Sequence, residues 1–248
     1  MDFVLITGAT SGIGYELTKI FAKNGYGLVL VSSNEKNLRN TKEEMKQQFS
    51  VPVFIFMQDL TKIGAAKELY DKIEETRVPI SILINNAGFG LVGETQKIDL
   101  LQDEAMMIIN LLNPVELSKL FLPKMYASGK GKILNVSSTG AFQPGPFTST
   151  YFASKAFLLS YSRAIRYEAK EKGVQVSTLC PGATKTQFFA REHVAMPTSV
   201  MSAEKVAQIA YNGLLKNKEI IIPGFKNKVL QCFPLKIKMN AVAKMKRS

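Results

Sequence analysis

The chain has 248 residues, 46% apolar and 21% charged, the make-up of a globular protein with one substantial core rather than of a disordered or fibrous chain. Two cysteines, Cys180 and Cys232, and a single histidine, His193, exclude a disulfide scaffold, a zinc cluster of the usual ligand spacing and a histidine-based triad. The net charge of +12 is uneven: Lys226, Lys228, Lys236, Lys238, Lys244, Lys246 and Arg247 stand in a terminal segment without acids, leaving +5 for all other residues, so the body is too mildly basic for a nucleic-acid binder.

Apolar, β-branched runs read as strands at Phe3–Thr7, Gly27–Ser32, Val53–Met57, Ile80–Asn85, Lys132–Ser137, Val174–Cys180 and Glu219–Ile222. Amphipathic segments between them read as helices, at about Gly12–Asn24, Glu35–Phe49, Lys62–Thr76, Leu101–Tyr126, Ser149–Lys172 and Ala203–Lys216. Strict alternation of strand and helix implies right-handed crossovers and a doubly wound, parallel α/β sheet of about seven strands, Rossmann-like, with helices on both faces. We expect one domain over residues 1–224 and a basic amphipathic tail over 225–248. The first strand begins at Phe3, leaving no room for a leader, and no uninterrupted apolar run approaches the ~20 residues of a membrane span. With so few thiols, the expected compartment is the cytoplasm.

Doubly wound sheets bind ligands beyond the carboxyl ends of their strands, where Gly8, Asp59, Asn86, Ser138 and Pro181 all fall. Thr7-Gly8-Ala9-Thr10-Ser11-Gly12-Ile13-Gly14 joins the first strand to the first helix; glycines there let the backbone approach a pyrophosphate, and the helix N-terminus favours the anion. Asp59, ahead of Leu60 at the third strand end, has two compatible readings: acceptor for an adenine amino group, and N-cap of the next helix. Tyr151 and Lys155 lie on one helix face at i and i+4, so the ammonium favours the ionised phenol and makes Tyr151 an acid and base near neutral pH. Ser138, at a neighbouring strand end, offers a hydroxyl to a carbonyl or alcohol oxygen. Ser137 competes for that role, since successive strand side chains face opposite sides and only one of the two can face the cleft.

Taken in order, these motifs resemble the single-domain short-chain dehydrogenases/reductases from Phe3 to about Pro223: Thr-Gly-x-x-x-Gly-Ile-Gly at Thr7–Gly14, Asn-Asn-Ala-Gly at Asn85–Gly88, Asn110, Ser138, Tyr-x-x-x-Lys at Tyr151–Lys155, and Pro181-Gly182 followed by Thr184 and Thr186. The resemblance implies hydride transfer to or from a nicotinamide. It makes Tyr151 the general acid and base, Ser138 the residue orienting the substrate oxygen, Lys155 a ribose ligand that also acidifies Tyr151, and Asn110 the holder of a water in the proton relay. It selects Ser138 over Ser137 by spacing, and places Gly8, Thr10, Ser11, Gly12, Ile13, Gly14, Asn86, Ala87, Gly88, Pro181, Gly182, Thr184 and Thr186 around the dinucleotide. It also implies a homodimer or homotetramer built on the long helices.

Coenzyme choice is usually set after the second strand, where an acid excludes a 2′-phosphate. Here Ser32, Ser33 and Asn34 stand in that place, so NADP(H) is favoured over NAD(H), with Lys36 as a further phosphate contact and Arg39 more simply a solvated helix residue. Phe142 and Phe147, before Tyr151, and Phe188 and Phe189, before His193 and Met196, suggest an apolar carbonyl or alcohol substrate, or else the packing of a lid; Phe89 and Leu91 could line the same cavity. In the tail, Leu235, Met239 and Val242 form a stripe among lysines. It fits packing on the body or a second subunit, or peripheral contact with anionic lipid, better than nucleic acid. The alternatives to a dehydrogenase are a non-catalytic NAD(P)-binding sensor or scaffold, and a lipid ketone reductase working at a membrane surface.

Overall fold

The apolar runs pair into one seven-stranded parallel sheet in the computed structural model, which describes residues 1–186 and 200–246. Its strands are β1 (Phe3–Thr7), β2 (Gly27–Ser32), β3 (Val53–Met57), β4 (Ile80–Asn85), β5 (Gly131–Val136), β6 (Val174–Leu179) and, after a separate pair β7 (Thr184–Lys185) and β8 (Met201–Ser202), the short β9 (Ile220–Ile221). The order is β3-β2-β1-β4-β5-β6-β9, so strand order reverses between β1 and β4 and a crevice opens there. Alternation along each strand feeds two cores. Val4, Ile6, Leu28, Leu30, Ile82 and Ile84 pack on one face with α1 (Gly12–Lys23) and α2 (Glu35–Phe49). Leu5, Val29, Val31, Leu83 and Ile133 pack on the other with α3 (Ala65–Glu75). Strands covered on both faces are apolar at most positions, hence the near-continuous runs in the sequence.

Two elements depart from the sequence pattern. The third helix begins at Ala65 rather than Lys62, because Asp59 folds its carboxylate into a local turn and Gly64, with φ of 81°, starts the helix. The segment read as one helix over Leu101–Tyr126 is α4 (Leu100–Met107), a widened π turn at Ile108–Leu112, and α5 (Asn113–Ala127). Pro114 explains the break: it has no N–H to give the Asn110 carbonyl, and its ring crowds that carbonyl. By length and composition the stretch Leu100–Ala127 could cross a membrane, but Leu117, Phe121, Leu122 and Met125 are buried against the sheet. The remaining helices are α6 (Ser149–Lys170), α7 (Ala203–Leu215), α8 (Phe225–Leu230) and α9 (Leu235–Lys246). Phe188, Phe189, His193 and Met196 lie outside the described residues.

Candidate active site

A cleft of about 830 Å³ runs along the carboxyl edge of the sheet. At one end its wall is Gly8, Thr10, Ser11, Gly12, Ile13, Ser32, Ser33, Asp59, Leu60, Asn86, Ala87 and Gly88. Gly14 is not on the wall but beneath it, where a Cβ would lie 2.2 Å from the Gly8 carbonyl oxygen and 2.5 Å from the Asn86 amide. That amide donates to the Thr7 and Gly8 carbonyls at 2.9 and 3.2 Å, and the Thr7 hydroxyl accepts from the Asn86 and Ala87 N–H groups. The glycine loop is thereby stitched to the end of β4. Ser11, at the N-cap of α1, makes no capping hydrogen bond and the first turn holds no acid, so this helix end keeps its pull on an anion.

Further along this wall, Ser32 Oγ lies 3.1 Å from Thr10 Oγ1 and accepts from the Asn34 N–H. Asn34 itself caps α2, accepting from the Asn37 N–H at 2.9 Å, and with Lys36 and Arg39 it falls off the wall; Arg39 pairs with Glu35 at 2.5 Å. Asp59 Oδ1 accepts from the Thr61 N–H and hydroxyl at 3.0 and 2.7 Å. Burial pushes its carboxyl upward, but the Thr61 donors and Lys62 outweigh that and hold it below the usual carboxylate value. It caps a turn of its own rather than α3.

The other end brings Ser138, Tyr151 and Lys155 to one wall. Lys155 is 5% exposed; its Nζ donates to the Val136 carbonyl at 3.1 Å and lies 5.7 Å from the centre of the Tyr151 ring. Burial lowers its ammonium to about 8. Burial also pushes the nearby Cys180 thiol up to about 12, so it stays protonated and offers Lys155 no counter-charge at neutral pH. Ser137 is buried and donates to the Lys155 backbone carbonyl at 2.8 Å, whereas Ser138 Oγ accepts from the Gly140 N–H at 3.0 Å. The first serine fixes the helix and the second keeps its hydroxyl hydrogen for another acceptor.

Asn110 is fully buried and off the wall. Its amide donates to the Phe89 carbonyl at 2.8 Å and its oxygen accepts from the Phe89 N–H at 3.2 Å. Gly88 lies between it and the lysine: a Cβ there would stand 2.4 Å from Asn110 Oδ1 and 3.4 Å from Lys155 Nζ. Asn85 lies behind the turn, in a buried amide network that reaches Asn135 at 2.8 Å and, through it, Ser162.

Pro181, Gly182, Thr184 and Thr186 close the cleft opposite. Phe142 and Phe147 are half-buried away from it. Phe147 has φ of 63° and its carbonyl accepts from the Gly93 N–H, which ties this segment to the loop after β4. Phe89, Ile109 and Phe152 are the apolar wall instead, while Leu91 is not part of it. The roof is the tail: Leu230, Gln231, Lys238, Ala241, Val242, Met245 and Lys246 face the cleft. Lys238 Nζ donates to the Phe142 carbonyl at 3.3 Å and the Gln231 carbonyl at 3.5 Å. The sequence favours packing of this tail on the body or a second subunit and places Val242 in its stripe, but not its position over the cleft, nor that Lys238, Val242 and Lys246 face inward while Leu235 stays exposed.

The short chain dehydrogenase family profile matches residues 2–196. The chain belongs to the short-chain dehydrogenase/reductase family. It is 31% identical over 228 residues to a ketoacyl reductase, HetN, of Nostoc sp., covering 92% of this chain and 76% of that one. It is 30% identical over 251 residues to a very-long-chain 3-oxoacyl-CoA reductase of Anas platyrhynchos, covering 98% and 79%. Among solved structures, a short-chain dehydrogenase from Sphingobium yanoikuyae in complex with NADPH superposes with a TM-score of 0.87 at 27% identity, over 94% of this chain and 96% of that one.

As a short-chain dehydrogenase/reductase the chain is an oxidoreductase of CH–OH and C=O groups with a nicotinamide dinucleotide, and its residues fit that group. Positive φ at Gly8 and Gly12 brings bare backbone to the cleft, the α1 N-terminus is uncapped, and one continuous wall links this loop to Tyr151 and Lys155.

Proposed function

We propose that the chain interconverts a ketone or aldehyde and its alcohol on an apolar substrate, with NADP(H) as redox partner and Tyr151 as general acid and base. One observation carries the reading: Ser138, Tyr151 and Lys155 share the wall of a cleft whose far end is the uncapped glycine loop. A nicotinamide bound there supplies or accepts the hydride. Tyr151 gives its phenolic proton to the substrate oxygen as negative charge develops on it, and takes the proton back in the reverse direction. The buried Lys155 ammonium favours the phenolate, an attraction that the low-dielectric surroundings strengthen, and it serves the cofactor ribose as well. Ser138, with its oxygen engaged by the Gly140 N–H, donates to the substrate oxygen and holds it beside the phenol. Asn110 is a positioning residue through its double hydrogen bond to Phe89, and Pro114 leaves its carbonyl without the usual helical donor for a relay water to use.

Ser32 and Ser33 on the cleft wall, where an acid would repel a 2′-phosphate, support NADP(H) over NAD(H), as does the NADPH complex of the Sphingobium yanoikuyae relative. The apolar preference is supported by Phe89, Ile109 and Phe152 on the wall and Leu230 and Met245 on the roof. Exposed Leu100, Leu101, Met107 and Phe157 on α4 and α6 support self-association through those helices. The deciding experiment is a panel of ketones and aldehydes with NADPH. Wild type should turn over apolar members, and Tyr151→Phe should lose on the order of 10²–10⁴-fold in kcat while still binding NADPH. Undiminished turnover by Tyr151→Phe would sink the proposed acid and base, and activity confined to small charged sugars would sink the substrate class.

A further inference from the structure

The two terminal helices, α8 and α9, carry a surface unlike the rest of the molecule. Phe225 is 80% exposed, Phe233 45%, Leu235 50% and Ile237 54%, although all sit in ordered helices or the turn between them. Interleaved with them are the exposed Lys226, Lys228, Lys236 and Lys244, and no acid occurs from Phe225 to Ser248. Exposed large apolar side chains gathered in two short helices mark a contact surface, and the charge around them restricts the partner. A two-fold contact with a second copy would bring this acid-free surface onto itself, cation against cation. Nucleic acid would meet the lysines but leave the aliphatic side chains unmatched. An anionic lipid bilayer satisfies both sets, taking phenylalanine and isoleucine into the acyl boundary and lysines at the headgroups.

We propose that α8 and α9 dock this protein on anionic membranes and present the mouth of the cleft to the bilayer. The two helices have a second, inward role: Leu230 and Met245 are half-exposed and also line the cleft, and Val242 is buried beneath them. Leu230 and Met245 therefore join the exposed surface of these helices to the cavity. If the substrate is apolar, as proposed above, this is its route from lipid to Tyr151; docking itself does not depend on that reading.

The test is co-sedimentation of the full chain, free of cofactor, with phosphatidylcholine vesicles with and without phosphatidylserine. Binding should be confined to the anionic vesicles and should weaken as salt rises and the Debye length shrinks. A lysine near such a surface is worth about fivefold in affinity, so neutralising Lys226, Lys228, Lys236 and Lys244 to Gln should cost on the order of several hundredfold. Phe225→Ser with Ile237→Ser should lower binding even at low salt. None of these residues lines the cleft, so NADPH affinity and turnover of a water-soluble ketone should hold in both variants, which separates loss of docking from loss of fold or of the enzymatic reading. Absence of binding to anionic vesicles overturns the proposal. So does self-association that Phe225→Ser abolishes without any lipid effect, or retention by RNA that exceeds retention by vesicles.

Discussion

Lys155 is a buried cation without a counter-charge in the described structure, and the fold should be more stable without it. The fall of its ammonium from 10.5 to about 8 is worth about 3 kcal/mol between the two protonation states. Because the folded value lies below the unfolded one, folding releases a proton between pH 8 and 10.5, and stability rises with pH in that window. Below pH 8 the folded protein bears the whole penalty; above 10.5 both states are neutral and it is gone. Lys155→Met removes the charge but leaves the Val136 carbonyl unpaired, a loss of about 1–3 kcal/mol. The cofactor-free variant should therefore match or exceed wild type by up to about 2 kcal/mol at pH 7, and fall below it by roughly 1–3 kcal/mol at pH 10.5. Urea unfolding followed by far-UV circular dichroism measures this, as the chain has no tryptophan, and groups common to both proteins cancel in the difference. Turnover should be lost at every pH. A variant destabilised equally at both pH values would refute the buried, unpaired charge.

The two adjacent serines should separate stability from chemistry. Ser137→Ala leaves the Lys155 carbonyl without its 2.8 Å donor and should cost about 1–3 kcal/mol in denaturant unfolding with kcat nearly kept; Ser138→Ala should show the opposite, and an inactive Ser137→Ala of normal stability would reverse their roles. Gly14→Ala drives a Cβ into the Gly8 carbonyl and the Asn86 amide, so it should lower stability by roughly 1–3 kcal/mol and weaken NADPH binding; an unchanged dissociation constant by fluorescence titration would show that loop and β4 are not coupled. Ser33→Asp puts a carboxylate at the exposed end of β2 and should weaken NADPH at least about tenfold, about 1.4 kcal/mol, with NADH little affected. NADPH and NADH affinities that move together would argue that Ser33 does not meet the 2′-phosphate. Since Lys155 is charged below pH 8 and neutral above, NADPH affinity should also fall as pH rises through 8, and Lys155→Met should flatten that profile.

Much of this protein is decided by local pattern. The seven strand positions follow from apolar runs that only a sheet covered on both faces can bury. The glycine loop, Ser138 and the Tyr151–Lys155 pair are legible because their spacing is set by a strand end or a helical turn, which sequence carries directly. Other features depend on chain segments far apart meeting in space. Strand alternation alone leaves Ser137 and Ser138 open and only the spacing of the family motif favours Ser138; what occupies Ser137 is decided when α6 packs its Lys155 carbonyl against it. Asn110 reads as part of a smooth helix until Pro114 widens a turn and Phe89 arrives to pair with both its amide nitrogen and its amide oxygen. Phe142 and Phe147 have the composition of a substrate pocket, but neither lines the cleft, and Phe152 takes the wall. The tail shows the division most clearly. Its charge and amphipathic period are written in the sequence, but that one face of α9 roofs the cleft while the residues beside it stay exposed is a matter of where the body lies, and periodicity contains no direction toward the body.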